Sequence, residues 1–90
     1  MTKADVIARI ASQTGLTKTD VRDVVEGFFE SVKYALKKDD PLEIRGFGTF
    51  SVVKRAPRKA RNPRTGQEVR IPSRSLPFFK PSREIKKVIG

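Results

Sequence analysis

The stretch LEIRGFGTFSVVKRAPRKARNPRTGQEVRIPSR, residues 42–74, decides the fold because its character changes twice within one run. Leu42-Glu43-Ile44 alternates at the period of a half-buried strand, and Arg45-Gly46-Phe47-Gly48 reads as a turn whose glycines permit close approach or positive φ. Thr49-Phe50-Ser51-Val52-Val53 continues as a strand, with Phe47 and Phe50 read as core aromatics rather than base-stacking platforms. From Lys54 to Arg64 the side chains Lys54, Arg55, Arg58, Lys59, Arg61 and Arg64 are basic and none is acidic. The only apolar side chains there are Ala56, Pro57, Ala60 and Pro63, so the segment has nothing to bury and should project as an arm. Asn62-Pro63-Arg64-Thr65-Gly66 is a turn sequence, in which Pro sets φ and Gly tolerates the left-handed region. Val69 and Ile71 alternate with Arg70 and Pro72 in a return strand, and Arg74 shares the parity of Arg70, placing both on one face. Pro57 and Pro72 cannot donate ladder hydrogen bonds, which fits a two-stranded, edge-like ribbon.

Outward from this stretch, Leu76-Pro77-Phe78-Phe79 is read as returning the chain to the core. Ser82 then caps a short helix with Ile85, Val88 and Ile89 on one face and Lys86 and Lys87 beside them. On the N-terminal side, Thr2-Lys3-Ala4-Asp5 and Thr17-Lys18-Thr19-Asp20 are two helix starts, with Gly15 as the stop between them. In the second helix Val21, Val25, Phe28, Val32 and Ala35 form one stripe, which Val24, Phe29 and Leu36 widen past a half-cylinder before Asp39-Asp40-Pro41 ends it. One small sheet cannot cover so wide a stripe. Homodimerisation through this helix is one reading, and a monomer holding these residues in its own core is the other.

Composition narrows the functional classes. Ninety residues make a single domain, and 37% hydrophobic content supplies a modest core. A chain of this size buries only about two-thirds of its unfolded surface, so marginal stability or a partner subunit is expected. Lys and Arg number 20 against 10 Asp and Glu, a net charge of +10. Residues 1–40 carry 7 basic and 7 acidic side chains, and residues 41–90 carry 13 and 3, so the excess lies entirely in the second part. That asymmetry points to a polyanion, with nucleic acid first, over a merely solvated basic surface. There is no Cys, which suits a reducing cytoplasm, and no His, so the usual zinc sites and the commonest general base are absent. No apolar run has the roughly 18 residues of a membrane span, and no signal segment follows Met1. Asp39-Asp40, Glu43, Glu68 and Glu84 lack partners at catalytic spacing, and no Gly-rich phosphate loop or nucleophile motif occurs. The expectation is a binding protein, not an enzyme, with no cofactor, metal or small-molecule substrate. A small basic RNA-binding protein shares the size and charge, and exposed stacking aromatics would mark it.

A basic two-stranded ribbon follows a DNA groove, with guanidinium groups on phosphates or in a narrow minor groove. Pro63 at its tip has two readings: a turn residue, or a rigid wedge that enters between base pairs and kinks the duplex. Gly46-Phe47-Gly48-Thr49-Phe50, Arg55, Arg58 and the string Arg61-Asn62-Pro63-Arg64-Thr65-Gly66 resemble the bacterial HU and integration host factor family. The resemblance spans essentially all 90 residues and is closer to HU. It implies an α+β fold: a two-helix body, a three-stranded antiparallel sheet with an extended β-ribbon arm, and a short C-terminal helix, assembled as an intertwined dimer.

By that resemblance residues 1–40 are the helical dimerisation part, 41–81 the sheet with its arm at about 54–74, and 82–90 the last helix. Arg55, Arg58, Arg61, Asn62 and Arg64 match the family's DNA contacts on the arm, with Pro63 intercalating, and Lys54, Lys59, Gly66, Arg70 and Arg74 are the further DNA contacts expected there. Gly46 and Gly48 are implied to bring backbone amides near phosphates, and Lys80, Arg83 and Lys86 to form a basic flank along the body. The implied dimer interface is Val25, Phe28, Phe29, Val32, Leu36, Phe47, Phe50 and Phe79. Ala60 departs from the Gly of many members, and Pro81-Ser82 stands where Gly is common. The implied role is architectural: a nucleoid protein that bends and compacts DNA through the minor groove with little sequence specificity and favours bent, nicked or gapped forms. Site-specific bending of the integration host factor kind is the alternative.

Overall fold

Thr2 opens the first helix as its spacing to Asp5 predicts. In the computed structural model, which describes Met1–Gly90, its hydroxyl accepts from the Asp5 amide at 3.2 Å while the Asp5 carboxylate accepts from the Thr2 amide at 2.8 Å. This reciprocal box starts α1 (Lys3–Thr14), and Gly15 at φ 77° ends it, its amide donating to the Ala11 carbonyl at 2.9 Å. Helix α2 (Lys18–Lys37) begins on Thr17, whose hydroxyl accepts from the Asp20 amide at 3.1 Å. Residues 1–34 form one compact unit and residues 35–90 a second.

Within the first unit, Ile7 and Val21 are buried at 3% and 2% exposure. The Lys3 ammonium donates to the Glu26 carboxylate, which holds that carboxyl below its usual pKa range. The rest of the apolar stripe is open. Phe28 and Phe29 are each 41% exposed, with ring centroids 5.9 Å apart, and Val24 is more exposed still.

The second unit begins with the last turn of α2, where Asp39 adopts φ 54° and the Asp40 amide donates to the Ala35 carbonyl at 2.9 Å. Asp is one of the few side chains that visits the left-handed region routinely. Strands β1 (Leu42–Ile44), β2 (Gly48–Arg55) and β5 (Arg74–Pro81) form an antiparallel sheet in the order β1-β2-β5. Pro77 and Pro81 lie on β5, an edge strand, where proline is tolerated. Gly48 sits opposite Ile44 on one side and Pro81 on the other. A Cβ there would lie 2.5 Å from Phe79 Cζ and 2.6 Å from the Lys80 carbonyl oxygen, so only glycine fits. The Phe79 ring centroid is 4.8 Å from that of Phe50 and 5.4 Å from that of Phe47. After the sheet, the Ser82 amide donates to the Phe47 carbonyl at 2.9 Å and the Ser82 hydroxyl caps α3 (Arg83–Ile89).

Strands β3 (Arg58–Arg61) and β4 (Glu68–Ile71) form the arm. Lys54 and Arg55 still pair with Ser75 and Arg74 in the three-stranded sheet, and the ladder stops only after them. It resumes at Arg58 opposite Ile71, after two unpaired residues on each strand. By that register Pro57 and Pro72 fall opposite one another in the gap. Each ring fixes φ near −65°, away from the roughly −140° of an antiparallel strand. Because the same number of residues is skipped on both strands, the register runs unshifted from body to tip.

Candidate nucleic-acid interface

Continuous register makes the hairpin from Gly48 to Pro81 a two-faced ribbon, since cross-strand partners share a face and alternate residues change it. One face carries Arg55 with Arg74, Lys59 with Arg70, and Arg61 with Glu68. The same face continues onto the body through Val53 with Leu76, Ser51 with Phe78, and Thr49 with Lys80. The opposite face carries Lys54 and Arg58 among Ala60, Val69 and Ile71, and on the body it becomes Val52, Phe50 and Phe79. Six of the expected basic contacts (Arg55, Lys59, Arg61, Arg70, Arg74 and Lys80) therefore share one face. Lys54 and Arg58 do not.

The acidic neighbours differ as well. Lys54 lies 3.5 Å from Asp39, and Lys59 lies 3.8 Å from Glu68, its diagonal cross-strand neighbour. At the break between the two ladders the faces are not separated: Arg55 and Arg74 from one face and Arg58 and Ile71 from the other line a single cleft of about 480 Å³, together with Leu76. Arg83 and Lys86 are exposed on α3, a separate element from the ribbon.

The tip is held by its own turn chemistry. Asn62 Oδ1 accepts from the Arg64 amide at 2.9 Å, and the Thr65 hydroxyl accepts from the Gln67 amide at 3.2 Å. The Asn62 amide donates to the Gln67 carbonyl, and the Gly66 amide to the Asn62 carbonyl, both at 2.8 Å. Gly66 has φ 70°. Asn62 is thus committed through Oδ1 to shaping the turn, and that turn leaves Pro63 and Arg64 exposed at the apex. Gly46, at φ 78°, serves the turn before β2, whereas Gly48 is fixed by the packing of Phe79.

The expected dimer-interface residues divide between the units. Phe28 and Phe29 are exposed in the first, and Phe47 is 43% exposed in the second. Val25, Val32, Leu36, Phe50 and Phe79 are half-buried. Sequence reading missed Phe78. It was grouped with Phe79 as core, yet it is 48% exposed on the cationic face, opposite Ser51. The period-2 alternation would have found it, because a Phe79 packed against Phe50 requires Phe78 to point the other way.

The family described as bacterial DNA-binding protein matches residues 1–90. The chain is 42% identical to the DNA-binding protein HU of Geobacillus stearothermophilus over 89 residues, covering 99% of each chain. It is 46% identical over 87 residues to integration host factor subunit beta of Azotobacter vinelandii, covering 96% of this chain and 95% of that one. Its fold is similar to the HU chain of an Anabaena HU–DNA cocrystal structure, with a TM-score of 0.89, 26% identity, and coverage of 100% and 98% of the two chains.

Proposed function

The chain belongs to the bacterial DNA-binding protein family, and from that premise we propose that it is an architectural DNA-binding protein that grips the minor groove with two basic arms and bends the duplex. It is a binding protein, not an enzyme. The observation that carries the reading is the single cationic face running from Lys80 on the body through Arg55 and Arg74 to Arg61. A ribbon charged on one face contacts phosphates along a groove and releases counterions, giving affinity without reading base edges. No helix here is arranged to present Asn, Gln and Arg to a major groove, so sequence preference is weak.

The functional unit is a homodimer. A single chain fully buries only Ile7, Val21 and Ala35, while Phe28, Phe29 and Phe47 stay two-fifths open. A chain of this size buries only a modest share of its surface, and a second copy supplies the matching aromatic surface. Residues 1–90 act as one DNA-binding domain, with residues 1–40 in dimerisation and two arms embracing the duplex. Pro63 at each exposed tip is the wedge, and Arg61 and Arg64 beside it hold the flanking phosphates. Arg58, Arg83 and Lys86 then meet DNA that the kink turns back toward the body. Bending costs on the order of 1–6 kcal/mol by elastic estimates, so pre-bent, nicked or gapped duplexes bind more tightly. The site of action is the nucleoid. No helix is long and apolar enough to cross a membrane.

Fluorescence anisotropy with intact, nicked and gapped duplexes of one sequence, each over a salt series, tests this reading. Tighter binding to the interrupted duplexes with a steep salt slope on all three supports it. Equal affinity for all three removes bending and leaves only a basic protein on a polyanion.

A further inference from the structure

Phe78 is the one large aromatic on the cationic face. Along β5 it lies two residues from Lys80 and four from Arg74, roughly 7 and 13 Å at strand rise. Its cross-strand partner is Ser51, with Thr49 opposite Lys80 on one side and Val53 opposite Leu76 on the other. Val53 and Leu76 are half-buried, whereas Phe78 is 48% exposed beside Ser51 and Thr49. Core packing does not account for it, because Phe50 and Phe79 occupy the other face and stack on one another.

We propose that Phe78 is a base-stacking site: its ring receives an unstacked base of DNA at a gap, nick or kink while Lys80 and the Arg55–Arg74 pair hold the flanking phosphates. The inference rests on the proposed function and assigns to it a residue that neither the arm nor the wedge supplies. Three features carry it. An exposed ring on the solvent face of an antiparallel sheet is the platform on which sheet-based nucleic-acid binders stack bases. Cations along the strand on both sides match a backbone that passes over the ring. A protein partner is disfavoured, because one phenyl ring offers about 150–250 Å² against the roughly 1,000 Å² of a stable interface, and the ammonium of Lys80 flanks the ring on the same face. The occupant is DNA, because the ring is continuous with the face assigned to the duplex.

The test places 2-aminopurine in the gap of a gapped duplex and titrates full-length protein, Phe78→Ala and Phe78→Tyr. Stacking quenches the probe with the parent and with Phe78→Tyr, and the quench is lost in Phe78→Ala. Affinity of Phe78→Ala for the gapped duplex falls about tenfold, within the range reported for removing a base–aromatic stack. Affinity for the intact duplex changes by less than about twofold, since no base is free to stack. Equal losses on gapped and intact DNA, or quenching that persists in Phe78→Ala, overturn the proposal while leaving DNA binding intact. A parent that binds neither duplex with a salt slope overturns the proposed function instead. An RNA of matched gap geometry bound more tightly, with the same Phe78-dependent quench, overturns the DNA assignment. Unchanged thermal midpoints for both variants confirm that loss of fold is not the cause.

Discussion

Replacing both Arg55 and Arg74 with Gln separates binding from folding at the root of the arm. The two residues are direct cross-strand partners on the cationic face. Like charges in that relation destabilise a sheet by about 0.2–1 kcal/mol, so the double variant is expected to unfold at or slightly above the parent's midpoint. A dimer loses four cations. At about 0.9 decades per phosphate, the slope of log affinity against log salt falls by up to ~3.6 if each contacted one. Between about 50 and 200 mM salt, that is roughly 150-fold less change in affinity than the parent shows. Anisotropy titrations at several salt concentrations measure it directly. The control on the opposite face replaces Lys54 and Arg58. Asp39 at 3.5 Å already offsets Lys54, so this pair reduces the slope by no more than about 2. A slope for the Arg55 and Arg74 variant within about one unit of the parent's refutes phosphate contact there. Equal reductions from both pairs refute the division of the ribbon into two faces.

Gly48→Ala brings a Cβ against Phe79 and the Lys80 carbonyl and costs about 1–3 kcal/mol of stability by overpacking. Gly46→Ala, with open space but φ 78°, costs about 1–2 kcal/mol by strain alone. Chemical denaturation of both checks this, and a Gly48→Ala protein as stable as its parent refutes the interlock. Pro63→Ala reduces the DNA bend, measured by end-to-end energy transfer, more than it reduces affinity; equal bend angles refute the wedge. The thermal midpoint rises with protein concentration, as for a dimer whose folding and association are coupled, and a constant midpoint refutes that coupling. The Glu26 carboxyl is held below its ordinary pKa by the bond from Lys3, so its stabilising contribution is complete above the ordinary value and is lost as pH falls through the lowered one. Glu26→Gln removes that component of the acid limb, and identical acid limbs for parent and variant refute it.

The two helices, their caps, the Gly-Phe-Gly turn and the hairpin were legible because each rests on local chemistry. Thr2 with Asp5, and Gly15 at positive φ, behave as their spacing demands. Three things were not legible. The break in the hairpin's ladder depends on pairing between residues about twenty positions apart: Lys54 and Arg55 pair with Ser75 and Arg74, and the ladder stops just beyond them. The facing of each basic residue depends on register, which composition does not carry. For that reason Arg58, grouped with Arg61 by charge, lies on the other face from it. Phe78 was misread because adjacent aromatics suggest one apolar patch, whereas a strand sends them to opposite sides.

In the proposed scheme that alternation also separates the protein's two partners. On β2 and β5, one parity presents Phe50, Val52 and Phe79, the aromatic surface offered to a second copy in the proposed dimer; the other presents Lys80, Phe78, Arg74 and Arg55, the surface offered to DNA. A slip of one residue between β2 and β5 would exchange the two sets and disable both functions together. The register must therefore be pinned at a point where no neighbouring residue can substitute, and Gly48 is that point. The Phe79 ring lies where the Cβ of any other residue would stand, and a slip would bring Phe47 or Thr49, each with a side chain, under the same ring. In this scheme one glycine thus determines which face each partner meets. Because the arm's gap at Pro57 and Pro72 skips equal lengths of both strands, that decision carries through unchanged to Arg61 at the tip.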